Sequence, residues 1–410
     1  MAHTHAMCSH KVLIRHPGGG VSTPVARIWM QFLLAAPSVP RFVIMSIMLV
    51  WGSACYAGES ASGVVTLRVE GTAQGTDAAA VREADENGLL AAMGEYLEQY
   101  VPDGDLSVFH ELLETPRRFV RSFNRVDTQV DEGVTVVTLR VSLDEAAIRQ
   151  AAASTLFPRL AAQARFLVLV AERGIGDTQL RLKRDGIAGA WVVRALREGG
   201  LNDVRGIDAV LDEDEDMLLT QLTDDTAIRL LLRENAADAA VVGRAYIHSD
   251  FAAAGSNLLE HRAELELRIV GAGEGAYTLR SEAKVLSGEI ERGAQTALND
   301  ACAKVQGEVV PLSVLAVAQG GLGTGVLVVI RGPLDADSKS AIMERLKGVP
   351  GIGEVEVLRE MPGVLKLHAP YTGEVGPLYR HLTWAPYTGF RLSAEQVVAR
   401  EIRLEAIPGS

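Results

Sequence analysis

From Val65 onward the apolar residues fall into short runs whose period switches between two and about 3.6. Val65, Leu67 and Val69 alternate with Thr66, Arg68 and Glu70, which predicts a half-buried strand. Thr76 or Asp77 can cap the helix that follows. Its apolar stripe is Leu89, Met93, Tyr96, Leu97 and Tyr100, and Pro102-Asp103-Gly104 stops it. Phe119 to Val130 and Val134 to Val141 predict two strands joined at Asp131-Glu132-Gly133, with Val137, Leu139 and Val141 on one face. Asp144 then opens a helix to about Ala153, rich in alanine and suited to lining the sheet. The first unit, residues 63–156, reads β-α-β-β-α.

Phe157-Pro158 marks a boundary, and the second unit spans residues 160–310. Arg165 to Val170 is a continuous apolar run, the pattern of a strand buried on both faces. Helices are predicted over Gly189 to Glu198 and Leu218 to Asn235, and a strand over Asp238 to Tyr246. Arg262 to Val270 alternates cleanly, with Ala263, Leu265, Leu267 and Ile269 inward. Gly271 to Gly275 turns it into a strand over Tyr277 to Leu286, and an alanine-rich helix runs from about Glu289 to Val305. This is a mixed sheet covered by helices.

Gly320-Gly321-Leu322-Gly323-Thr324-Gly325 reads as a hinge. Its glycines are spaced as in a dinucleotide site, but a strand follows where a phosphate cradle needs a helix N-terminus. The third unit, residues 326–410, repeats the β-α-β-β-α plan: a strand Val326 to Ile330, a helix from Asp335 or Asp337 to Leu346, strands Val355 to Leu358 and Gly363 to His368, and a helix near Leu378 to Leu382. That order is ferredoxin-like, with a last strand expected in Ile402 to Ala406. The fold class is therefore α/β (α+β), in three small modules.

Ala369-Pro370-Tyr371-Thr372-Gly373 recurs as Ala385-Pro386-Tyr387-Thr388-Gly389. Each copy has turn chemistry. Exposed Tyr371 and Tyr387 beside Trp384 also form a candidate partner contact.

Ahead of these modules, Arg41 precedes the apolar run Phe42 to Trp51, which ends in Gly52-Ser53-Ala54-Cys55-Tyr56-Ala57. That is the layout of an export signal, so residues 1–57 read as a leader. Met30 or Met45 could be the true start. Cleavage after Ala57 would release a soluble periplasmic protein. With Ser53 and Ala54 before it, Cys55 could instead carry the lipid of an outer-membrane lipoprotein. Both readings stay open, and the membrane is reached only through such an anchor, since the run falls short of the roughly 20 apolar residues of a span.

Composition narrows the chemistry further. The chain has a formal charge of −12, and the leader's Lys11, Arg15, Arg27 and Arg41 are offset by no acid, so the rest is more acidic still. Such a chain repels nucleic acid. The three cysteines are Cys8, Cys55 and Cys302, too few for a disulfide framework; Cys302 reads as a small core residue. His3, His5, Cys8, His10 and His16 look like metal ligands but lie in the leader and have no second ligand group at fixed spacing. Asp212 to Asp216 lacks the glycine and closing glutamate of a calcium loop. His248, His261, His368 and His381 are scattered, and neither Gly-x-Ser-x-Gly nor a zinc motif occurs. No catalytic, cofactor or metal residue is assigned, and the chain reads as a non-enzyme without cofactors.

Two stretches carry a resemblance. Val69-Glu70-Gly71-Thr72-Ala73, the helix after it, Phe119-Val120-Arg121 and Val136 to Val141 resemble the N-terminal domain of flagellar assembly protein T. Arg165 to Val170, Asp238 to Gly243 and Gly293-Ala294-Gln295-Thr296-Ala297-Leu298 resemble that family's middle domain, itself akin to the N-terminal domain of TolB and to curli-secretion lipoproteins. The family ends in a small SH3-like barrel, whereas Val326 to Leu382 is similar to the ring-building modules of secretion and sporulation rings. The resemblance implies a periplasmic or outer-membrane-associated scaffold. It would form homo-oligomers and help assemble a flagellar basal-body or other envelope ring with envelope proteins. The alternative is an outer-membrane lipoprotein that binds and regulates an envelope enzyme or secretion pore.

Overall fold

The computed structural model describes residues 63–409 apart from 102–103, 211–214, 252–257, 323–324, 372, 385–386 and 399. The leader, its histidines and Cys55 lie outside the described residues, as do most of the acidic run Asp212 to Asp216 and part of the glycine-rich stretch before residue 325. The chain is α/β: three sheets, each packed against helices.

In the first sheet β1 (Val64–Gln74) and β2 (Val120–Asp131) flank β3 (Val134–Asp144), all antiparallel. Helix α1 (Ala78–Leu97) lies on it, started by Asp77, whose carboxylate accepts from the Ala79 and Ala80 amides. Gly71 lets the helix touch β1: a Cβ there would collide with the Ala84 carbonyl and the Gly88 amide. Helix α2 (Glu145–Leu160), capped by Asp144, leads onward.

The second sheet has the order β5-β4-β7-β8-β9, with β6 also on β4. These are β4 (Arg165–Arg173), β5 (Arg181–Leu182), β6 (Asp203–Arg205), β7 (Ala239–Phe251), β8 (Leu259–Gly271) and β9 (Ala276–Ser287). β4 is parallel to both β6 and β7. Phe166, Val168 and Val170 of β4 face helix α3 (Ile187–Glu198), while Leu167, Leu169 and Ala171 face α4 (Glu215–Gln221) and α5 (Asp225–Glu234). Burial on both faces explains the unbroken apolar run of β4. Two helices close the unit rather than the single one predicted: α6 (Ile290–Lys304) and, after a 52° bend, α7 (Gln306–Gly320). The buried side chains of Val309, Leu312, Val314 and Leu315 explain α7, whose nearly all-round apolar sequence conceals its period. Among the described residues no single helix is long and apolar enough to cross a membrane; α6 and α7 pass that test only as a bent pair.

The first two sheets share one continuous apolar core, from Val69 to Ala318. Polar contacts line it, and two of them join the first unit to the second. The Tyr96 hydroxyl donates to Glu145 Oε1 at 3.3 Å, the Arg149 guanidinium sits 5.2 Å from the centre of the Tyr277 ring, and Gln319 Nε2 donates to Gln99 Oε1.

The third sheet has the order β11-β12-β10-β14-β13. β10 (Gly325–Arg331), helix α8 (Ala336–Lys347), β11 (Glu356–Met361), β12 (Val364–Pro370) and helix α9 (Val375–Thr383) follow the expected sequence order. The end departs from a ferredoxin-like plan. The chain closes with a hairpin, β13 (Phe390–Val398) and β14 (Glu401–Pro408), and β14 takes the place beside β10 and runs parallel to it. Burial explains the exchange: Ile402, Leu404 and Ala406 of β14 are almost fully buried, whereas Ser393 to Gln396 of β13 are exposed.

A chain of charges, buried at Asp238, Arg165 and Glu401, fastens this sheet to the second one. Asp238, fully buried at the start of β7, accepts from Arg400 Nη1 at 2.7 and 2.8 Å and from the Arg165 amide at 2.9 Å. Arg165 pairs with Asp203, Arg205 bridges Asp203 and Glu401, and Arg403 reaches Glu401 at 2.6 Å. Burial lowers the pKa of the Arg165 guanidinium, with Arg205 adding to the effect.

Candidate functional site

The two proline-tyrosine turns do not make an aromatic surface together. Tyr371 is half-buried against the third core. Tyr387 is buried: its hydroxyl donates to the Leu382 carbonyl at 3.1 Å, its ring stacks on Phe390 at 4.6 Å, and the Arg345 guanidinium lies 3.8 Å from the ring centre. Burial pushes the Tyr387 phenol up to about 12. Only Trp384 of the three is exposed, at 86%. The expectation that Tyr371 and Tyr387 are exposed is corrected. Their turns fold them inward because a tyrosine ring supplies core volume that the small third module needs. Thr372, Ala385 and Pro386 lie outside the described residues.

The scattered histidines include one arrangement that spacing could not reveal. Ser249 and His261 are cross-strand partners on β7 and β8, and Ser249 Oγ is 2.7 Å from His261 Nδ1. A serine-histidine pair invites a hydrolase reading. Here the imidazole is fully buried, and its Nε2 has no partner among the described residues. That edge of the ring packs on Gly293 of α6, where a Cβ would collide with it. Triad chemistry needs an acceptor that orients the ring and room for an acyl group, and among the described residues this side of the sheet offers neither. Among the described residues no group of three His, Cys, Asp or Glu side chains could hold a metal ion.

Cys302 lies fully buried on α6, and burial, with Glu172 second, pushes its thiol up to about 12. From an ordinary value of 9.0 this leaves about a thousandfold less thiolate near neutral pH. Iodoacetamide should therefore leave Cys302 unlabelled in the native protein at pH 8 and label it within minutes in guanidinium chloride. Labelling at comparable rates in both would show that α6 opens readily.

Among the described residues, two open surfaces stand out. The first is β2. It is an edge strand exposed at every position after Val120, and Phe123, Val126 and Val130 stand among its exposed residues. Bulges at Arg121 and Val126 and pairs from Arg121 to Asp144 and from Arg125 to Asp85 bend and charge it. The second is a polar groove of about 520 Å³ at one end of the second sheet, lined by Arg173 to Asp177, Ile247 to Asp250, Arg262 and Glu264. Arg262 is held by Glu264 and Glu282, and Asp177 by Lys183 and the Gly174 amide, which lower the Asp177 pKa. Phe251, Leu258, Leu286 and Ile290 leave apolar surface near the same end. Sequence alternation showed which residues of β3 and β8 share a face, but not that β7 outruns β4 to open a groove.

Comparison with known proteins finds no matching protein-family model and no matching curated protein. Among solved structures the chain is similar to a PelC dodecamer from Paraburkholderia phytofirmans, at 18% identity over 38% of this chain and 91% of that one, with a TM-score of 0.23. It is also similar to a DUF330-family protein from Xanthomonas campestris, at 15% identity over 38% of this chain and 86% of that one, with a TM-score of 0.21. A Caulobacter crescentus protein described as a lipoprotein matches at 15% identity over 37% of this chain and 87% of that one, with a TM-score of 0.13. At these scores none of the three bears on what this chain does.

Proposed function

We propose that the chain is an exported, non-enzymatic scaffold of the cell envelope. It would act in an envelope ring, and the flagellar basal body is the setting to which the family resemblance points. The observation that carries this reading is β2, a strand of 12 residues exposed along its length on modules otherwise fixed by shared core and buried charge. An open strand edge offers main-chain hydrogen bonds to another chain, and a rigid body transmits that contact in a fixed orientation. The leader supports export. Partners of the scaffold would be other envelope proteins and further copies of this chain.

The test is mass spectrometry of the mature N-terminus from fractionated envelopes, with the fractions probed for basal bodies. A free N-terminus near Gly58 in a large assembly is expected, and F123D with V126D should release the chain from it. A chain that stays cytoplasmic, or an assembly indifferent to both substitutions, would sink the reading. A diacylglyceryl Cys55 in the outer membrane, apart from any ring, would favour the lipoprotein regulator.

A further inference from the structure

The second sheet is wound so that its groove falls where open α/β sheets take ligands. β4 and β7 lie side by side and parallel, yet the chain leaves β4 for α3 on one face and enters β7 from α5 on the other. Neighbouring parallel strands with diverging connections leave a crevice at their carboxyl ends. The groove lies at those ends.

β7 also outruns its neighbour. The β4 ladder stops at Arg173 opposite Tyr246, while β7 continues through Ile247 to Phe251, paired there, among the described residues, to β8 alone. Those residues present a bare strand edge to the groove, and a bare edge takes an extended peptide as an added strand. At the inner end of the edge stands Arg173, its guanidinium 4.9 Å from the centre of the Tyr246 ring. Among the described residues no carboxylate pairs with it, whereas Arg262 in the same groove is taken by Glu264 and Glu282. The nearby N-terminus of α3 is already filled, because buried Glu172 accepts the Ala188 amide at 2.6 Å. Arg173 is therefore the guanidinium in the groove that no carboxylate holds among the described residues.

We propose that this groove captures the carboxyl-terminal end of a partner polypeptide. The peptide adds antiparallel to β7 along Ile247 to Phe251, and its terminal carboxylate meets Arg173. A guanidinium matches a carboxylate with two parallel hydrogen bonds. Asp250 lies further along the edge and, among the described residues, has no cationic partner, so it favours a basic side chain upstream of the terminus. The site stands on the second sheet alone and does not depend on the scaffold reading.

The test uses the mature chain and fluorescein-labelled hexapeptide pools of mixed sequence, ending either in a free carboxylate or in an amide. Anisotropy should rise with the acid pool and be about tenfold weaker with the amide pool. R173Q should bring the acid pool down to the amide level, and R173K should recover part of the loss. Hydrogen exchange at Ile247 to Phe251 should slow when the acid pool binds. Absence of binding, equal affinity for acid and amide, or binding unchanged in R173Q with its native circular dichroism spectrum would each overturn the proposal.

Discussion

Replacing Asp238 by alanine should cost the folded chain about 3–5 kcal/mol, the range for breaking a buried ion pair from one side. The carboxylate is fully buried and answers two demands at once. It accepts the Arg165 amide at the mouth of β4, and it neutralises Arg400 in the turn between β13 and β14. Without it, Arg400 stays in a low-dielectric seam beside Arg165, whose guanidinium is already disfavoured by burial. The Arg400 carbonyl also accepts the Leu327 amide, so disturbance at this turn passes into β10. Urea unfolding followed by circular dichroism checks the magnitude. The double variant D238A with R400M should regain much of the loss, because the stranded charge leaves with its partner. A single variant within 1 kcal/mol of the native chain would mean that solvent reaches the seam. A separate early transition in the single variant would mark release of the third module by itself.

This seam illustrates what the amino-acid order made legible and what it did not. The clean alternation of Arg262 to Val270 predicted the faces of β8, and those faces are as predicted: Ala263, Leu265, Leu267 and Ile269 are buried. The unbroken run of β4 announced burial on both faces for the same reason. The hairpin at Asp131-Glu132-Gly133 was legible because Glu132 and Gly133 both take positive φ, a conformation to which glycine is suited. Each of these signals is local. Asp238 and Arg400 are 162 positions apart, and nothing near either one distinguishes it from a surface charge. Ser249 and His261 meet only because β7 and β8 pair in one register. The groove arises from a difference in strand length between β4 and β7. Tyr387 misled for a related reason: turn chemistry around it says where the backbone bends, while the small core of the third module decides where the ring goes.

Gly71→Val should destabilise the first module by about 3 kcal/mol, at the upper end of what overpacking costs. The close approach there is between main chains. A Cβ on residue 71 would fall on the Ala84 carbonyl and the Gly88 amide and come within 2.8 Å of the Gly88 Cα. No rotamer change relieves a clash with helix backbone, so α1 must lift from β1. Thr72 next door takes a hydrogen bond from Asn87 of the same helix, and that contact would be lost with it. A contrasting change is Gly206→Ala, where an added Cβ meets nothing within 4 Å and φ is negative; it should alter stability by less than about 0.5 kcal/mol. Thermal and urea unfolding of the two variants make the comparison, and a Gly71→Val cost no larger than that of Gly206→Ala would refute tight seating of α1. The same variant probes function. α1 braces the three-stranded sheet whose outer strand is β2, and Arg125 of β2 reaches Asp85 of α1. If β2 is the assembly edge, lifting α1 should weaken assembly even where the chain stays folded, and Gly206→Ala should leave assembly intact.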